Sequence, residues 1–518
     1  MLRVFQNDLL KAKHFVVTLE LVPGREHLGR ALDAVMGISR EAFADGRVSA
    51  VSITDNPGGN PSLSPDVIGH DIFNMGMDTI VHFTCRDMNR VGMESRALQL
   101  ARMGMKNILA LNGDYSGQGF GGQGAPVFDL DSVQLQIMLG MLSERLQAAG
   151  DPDCFFAGCA VSPFKRTEAE CFAQYAKLCR KVAAGAQFIV TQLGYDARKF
   201  QELIRVMRHL CIQVPVLGSV YLLNPRVAAI MNQGKVPGAV VTDALLARVQ
   251  QEWRDKNEGR RLAIERAARL AAVLKGLGYK GIHIGGIHQR YEVVGRILDR
   301  LAQIEGEWES FLEEFDFPQA GGFYAFASRA GDASDAPGFG AGPPRVHQRE
   351  RLLYASLSRA HDLFFNQDHP LAPWFRRLAE HLDGNLGRKL LTDLVEDPAK
   401  QFMLECQKCG DCAIQHVAFL CPESQCPKHI RNGACGGSLN GRCEVHPERY
   451  CIWFRAYKRL SGVGRIQELI RGCVPPRMWE LNQSSSWLNF HLGRDHQSAS
   501  NEIALRCRAG SCRLQAID

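Results

Sequence analysis

The chain has 518 residues, 46% of them hydrophobic and 22% charged, with a formal net charge of +6. That length suffices for at least one large core and two or three folding units, and a charge this small, with no long basic run, argues against nucleic-acid binding or attachment to a membrane surface. No stretch stays apolar for the roughly 18 residues a membrane span needs, and the N-terminal MLRVFQNDLLKAKHF has no signal-peptide core or cleavage site, so a cytoplasmic protein without a membrane span is expected.

From about residue 14 to 304, short β-branched runs alternate with longer helical patterns. Strands are expected within 14–22, 48–54, 78–84, 106–112, 154–161, 187–193, 214–220 and 280–286. Between them, segments such as Gly29–Phe43, Val91–Met103, Ser132–Ala149, Glu168–Ala183 and Leu262–Leu277 carry apolar residues at three- and four-residue spacing, the mark of a helix with one buried face. Eight such β-then-α units predict an α/β fold, a (β/α)8 TIM barrel spanning 1–315 with its chemistry at the C-terminal ends of the strands. A doubly wound open sheet is the alternative. Residues 316–348, which include SRAGDASDAPGFGAGPP, read as a Gly/Pro/Ala-rich linker. A smaller, mainly helical and irregular unit follows over 349–480, and the tail 481–518 has no usable periodicity.

The strand ends carry Glu20, Thr54, His82 with Thr84, Asn112 with Asp114, Gln192 and Ser219. Acids, amides and hydroxyls converging on one barrel rim suit the hydrogen-bonding edge of a heteroaromatic ring, with one carboxyl group left to handle a proton. Taken singly, Thr54 or Ser219 is as well explained as a turn or cap residue, and His82 as a satisfied core histidine. Glu20 differs, since it lies inside VTLELV, where an ionisable group needs a reason for its burial.

Of 17 cysteines, eight fall between 406 and 451: Cys406, Cys409, Cys412, Cys421, Cys426, Cys435, Cys443 and Cys451. In a chain this large, kept in a reducing compartment, such clustering points to metal. The run CQKCGDC brings three thiolates together, and a proline-linked cysteine, Cys421 or Cys426, supplies a fourth ligand for a 4Fe–4S cluster; zinc accepts the same donors. Spacing alone leaves open which cysteines group together.

The segments TLELVP, HFTC, LALNGD, RKVAAGAQFIVTQ and GYKGIHIGGI resemble, in order, signatures of methylenetetrahydrofolate reductases. CGDC, CPESQCPK, RNGACGGS, GRCEV and CIWFRAYKRL are similar to that family's C-terminal domain, which in acetogen-type enzymes is a small partner subunit. The resemblance implies a flavin-binding barrel, with FAD or FMN, that reduces 5,10-methylenetetrahydrofolate to 5-methyltetrahydrofolate. It implies Glu20 as general acid, its pKa raised by apolar burial, Asp114 beside the pterin and flavin, and Gln192 on the folate. Thr54, His82, Asn112, Arg180 and Lys181 fall where the family holds the flavin, Arg180 and Lys181 suiting its phosphates. Asn112 stands where NADH-dependent members usually carry Arg. The implied donor is NADH or an iron–sulfur protein such as ferredoxin acting through the cysteine-rich domain, and an oligomer or complex subunit is expected. Two other readings remain: a non-catalytic barrel assembling a larger redox complex, and a flavin-free pterin methyltransferase-type barrel.

Overall fold

The computed structural model describes residues 4–11, 14–288, 290–327, 336–340, 348–384, 386–497 and 502–510. Most of the linker stretch 328–344 lies outside these, as does the end of the tail. Eight parallel strands close into a barrel: β1 (Val16–Leu21), β2 (Ala50–Ile53), β3 (Thr79–Thr84), β4 (Asn107–Leu111), β5 (Phe156–Val161), β6 (Phe188–Thr191), β7 (Val216–Tyr221) and β8 (Gly281–Gly285). Each strand pairs with its sequence neighbours, and β1 closes on β8 with Val16 opposite Gly281 and Leu19 opposite Ile284. Gly281 is required at that seam, because a Cβ there would stand 2.2 Å from the Val16 carbonyl oxygen. The open doubly wound sheet is thereby excluded.

Both faces of every strand are covered, so the strands are apolar almost throughout, as parallel strands wrapped by helices must be. Helices Arg30–Asp45, Arg90–Arg102, Ser132–Ala148 and Glu168–Ala183 lie where the periodicity puts them, within a residue or two at each end, and the helix ending at Gly276 begins earlier than expected, at Lys256. A helix at Val4–Leu10, which the sequence pattern does not single out, plugs the N-terminal end of the barrel. Its Phe5 ring meets Phe156 and Phe188 at 5.8 and 5.2 Å between centroids, amid Val16, Ala50, Ile80, Leu109 and Leu217. The bottom of the barrel is thus filled with side chains, and the opposite end is left for a site.

The second unit begins with helices Gln348–Phe365 and Ala372–Leu382 and continues through Leu386–Leu404. Residues 406–451 are mostly loops, followed by helix Ile452–Ser461, and the tail contains short helices at Ser486–His491 and Glu502–Gly510. Cys473 and Cys507, outside the clustered eight, are joined as a disulfide. This unit docks on helix Glu168–Ala183, 13 of whose 16 residues are buried. One face of that helix serves the barrel, while Ala169, Phe172, Ala173 and Ala176 share a core with Ile452, Ala456, Tyr457 and Leu460 of the second unit. Gly433, at φ 110°, lets a loop backbone lie against the same helix; a Cβ there would stand 2.8 Å from the Lys177 Cβ. Among the described residues no helix is long and apolar enough to cross a membrane.

Candidate active site

A cavity of about 290 Å³ opens at the C-terminal ends of the strands. Glu20, Thr54, His82, Asn112, Asp114, Lys181 and Gln192 all line it, as do Thr84 and Ser219. Its roof comes from the second unit, where Lys428, Cys435, Gly436, Gly437 and Glu444 face the barrel mouth. The roof is fastened by buried polar joints. Lys165 donates from Nζ to the carbonyl oxygens of Gly436 and of Ser438, the latter at 2.6 Å, and Lys177 donates to the Gly433 carbonyl oxygen at 3.2 Å. Asp131, which caps helix Ser132–Ala148 through Oδ1, uses Oδ2 to accept from the backbone N–H groups of Arg431 and Asn432 and from Asn432 Nδ2.

Among the described residues, four buried side-chain polar atoms of the cavity lining have no hydrogen-bond partner: Asn112 Nδ2, Ser132 Oγ, Ser162 Oγ and Gln174 Nε2. A buried donor left unsatisfied costs about 1–3 kcal/mol, so these four are groups that water or a polar ligand in the cavity can satisfy. Asn112 is oriented by its other end, since its Oδ1 accepts from the Ser132 N–H at 2.7 Å. Gln192 donates from Nε2 to the Pro237 carbonyl oxygen at 3.1 Å, and Asp114 Oδ2 accepts from the Gly58 N–H at 2.9 Å.

The family model described as methylenetetrahydrofolate reductase matches residues 6–302, more than half the chain, and that described as methylene-tetrahydrofolate reductase C terminal matches residues 389–480. The chain belongs to the methylenetetrahydrofolate reductase family. A probable methylenetetrahydrofolate reductase (NADPH) of Caenorhabditis elegans is 26% identical, over 39% of this chain and 31% of its own length. A probable methylenetetrahydrofolate reductase (NADH) of Oryza sativa is 28% identical, over 44% of this chain and 39% of its own. The chain therefore spans about a third of the length of the curated relatives it matches. A solved protein from Clostridium thermocellum, described as uncharacterized and as binding two copies of 5-methyl-5,6,7,8-tetrahydrofolic acid, has 10% identity and a TM-score of 0.39, covering 59% of this chain and 99% of its own, too loose a likeness to bear on function.

Within this reductase-family barrel, Glu20 differs from the sequence expectation. Burial does act to raise its pKa, but the His283 imidazole, with His82 and His288 behind it, outweighs burial and lowers the carboxyl below its usual value. Glu20 Oε2 lies 3.7 Å from His283 Nε2, and ligand-type atoms of Glu20, His82 and His283 converge within 4.8 Å of one another. His283 is fixed from behind by Thr18, whose Oγ1 lies 2.8 Å from Nδ1 and also donates to the Ile282 carbonyl oxygen at 3.3 Å. Held through Nδ1 in this way, the ring turns Nε2 toward Glu20. His82 engages the Ser52 hydroxyl at 2.8 Å, and burial pushes its pKa down to about 4, so it is neutral near pH 7.

Arg180 is a second correction. It does not line the cavity: Nη2 donates to the Arg471 carbonyl oxygen at 3.2 Å, and the guanidinium stands 5.8 Å from the Trp453 ring centroid, both in the docked unit. Its neighbour Lys181 does line the cavity, with Nζ donating to the Ala160 carbonyl oxygen at 2.6 Å. Successive helix residues point about 100° apart, so Lys181 faces the cavity while Arg180 faces the docked unit.

The cysteines resolve into two sets. Cys426, Cys435, Cys443 and Cys451 line one small cavity, and charge on Cys435 and Cys443 acts on Cys426. Cys412 lies within the electrostatic reach of Cys406 and Cys421, and Cys409 within that of Cys412. Cys435 also lines the barrel cavity, so the set it belongs to abuts the candidate active site. Residues that sequence reasoning missed are His283, Ser132, Ser162, Gln174, Lys428 and Glu444. His283 had a usable signal, as a polar residue inside the apolar run GIHIGG; Gln174 looked like ordinary helix, and nothing local marks Lys428.

Proposed function

We propose that this chain is a flavin-dependent reductase of 5,10-methylenetetrahydrofolate, forming 5-methyltetrahydrofolate, with electrons reaching the barrel through the cysteine-rich domain. The observation that carries the reading is the convergence of Glu20, Asp114 and Gln192 with four unpartnered polar atoms in one cavity of a family barrel. Those atoms, with Thr54, His82 and Lys181, suit the polar edge of a flavin ring, and the chemistry a flavin supplies is hydride transfer. Gln192 and Asp114 orient the folate by its amide and amine groups. Glu20 Oε2 and His283 Nε2 face each other at 3.7 Å and act as one proton-carrying pair. A proton carried on this pair is delivered from Glu20 to a bridge nitrogen of the folate, opening the methylene bridge, and the pair then takes up another from solvent. The acid is thus the pair, which replaces the lone raised carboxyl expected from sequence.

Each cysteine set offers four thiolates, the donors of a 4Fe–4S cluster or of zinc. Contact of Cys435 with the barrel cavity supports a relay from that set to the flavin. Iron, acid-labile sulfide, zinc and flavin per chain, measured on protein purified without oxygen, test this. About four or more irons and sulfides with one flavin fit the relay and point to reduced ferredoxin as donor. Zinc without iron removes the relay, leaves the domain docking alone and makes NADH the donor; a colourless barrel that binds methyltetrahydrofolate refutes the reductase.

A further inference from the structure

Lys428 belongs to the cysteine-rich domain yet reaches the barrel. It is 3% exposed and donates from Nζ to the Gly113 carbonyl oxygen at 2.8 Å, across 315 residues of sequence. It also forms an ion pair with Glu444, and both line the barrel cavity. An ammonium has three N–H donors. Gly113 and Glu444 take two, the Phe128 ring centroid lies 5.7 Å from Nζ, and among the described residues no further hydrogen bond uses the third. Glu444 in turn lies 3.4 Å from the Cys435 sulfur, so the cation is fixed between a cysteine set and the rim residue preceding Asp114.

A buried cation held this rigidly, with the Glu444 carboxylate paired to it and the Asp114 carboxylate nearby, discriminates between ligands by their charge. Reduction adds electron density to the ring of a flavin, and a positive charge beside the ring favours that form. We propose that Lys428 is a binding residue of the barrel cavity, supplied by the second domain, and that its ammonium selectively holds the reduced flavin. The inference rests on the flavin reading above. The cysteine-rich domain thereby gains a second role, because its roof sets how readily the barrel's flavin is reduced whether or not its metal relays electrons. Glu444 opposes Lys428, since its carboxylate offsets the same positive charge.

The test is binding of FMN and FAD, oxidised and dithionite-reduced, to the full-length chain purified without oxygen. K428M is expected to keep oxidised-flavin affinity within about threefold and to weaken reduced-flavin binding at least about tenfold, with K428R restoring most of it. E444Q is expected to shift the ratio of reduced to oxidised affinity in the opposite direction. A merely structural role for the pair would weaken both redox forms together in both variants, and that result, or an unchanged ratio, overturns the proposal. If K428M fails to fold, E444Q decides alone: tighter reduced-flavin binding supports the proposal, and equal or weaker binding overturns it. Wild-type protein that binds neither flavin overturns the flavin reading itself, an outcome distinct from flavin bound with no shift in the variants.

Discussion

At the scale of single residues, the proposed acid is the Glu20–His283 pair, whose facing atoms stand 3.7 Å apart, and replacing the carboxyl by an amide removes the group proposed to deliver the proton. Glu20→Gln is expected to bind flavin normally and to lose folate reduction by at least about a hundredfold, the usual scale for a general acid, checked by flavin absorbance and turnover on the same sample. His82 has a consequence for stability. Its folded pKa is lowered to about 4 from an ordinary 6.5, so below about pH 6.5 the unfolded chain takes up a proton that the folded one refuses. Its contribution is fully present above pH 6.5 and is lost as pH falls toward 4, on the order of 3 kcal/mol in all. Glu20, also lowered, continues the decline in the acid range. Urea midpoints of the flavin-free protein measured from pH 7.5 to about 4.5 should fall steadily below 6.5, and His82→Gln should flatten that slope.

At the scale of elements, the joint at the start of helix Ser132–Ala148 does two jobs with one carboxylate. Asp131 Oδ1 accepts from the Val133 and Gln134 N–H groups, capping the helix, while Oδ2 accepts from Arg431 and Asn432 in the docked unit. Asp131→Ala removes a cap worth about 0.5–2 kcal/mol and strands buried donors at about 1–3 kcal/mol each. A loss of several kcal/mol in denaturant unfolding is expected, with weakened flavin binding because the cavity roof is anchored there. The cap itself was legible, as an Asp followed three residues later by Gln before an apolar run. Its second use was not, because Arg431 is 300 residues away.

At the scale of the molecule, barrel and cysteine-rich unit share both a core and a cavity. Helix Glu168–Ala183 is buried on two faces, and removing the second unit would bare Phe172, Ala173 and Ala176 together. Residues 1–327 expressed alone are expected to self-associate, seen as a concentration-dependent rise in light scattering, since an apolar stripe of that kind demands cover. The cavity of that fragment would also lack Lys428 and Glu444, so flavin retained at full affinity would argue that the roof is dispensable.

The sequence by itself determined the barrel, because parallel strands buried on both faces and helices buried on one leave distinct apolar periods in the chain, and the eight runs read from them all became strands. It also located Glu20, Asp114, Gln192 and their neighbours, since closing a barrel gathers its strand ends at one rim whatever the loops do. Only the tertiary structure assigned Cys421 and Cys426 to their separate cysteine sets, turned Arg180 away from the cavity while Lys181 faced it, and paired Glu20 with His283. Those facts depend on the register at which β8 closes on β1 and on how one loop-rich unit seats against a helix. Contacts between residues that far apart in the chain leave no local period to read.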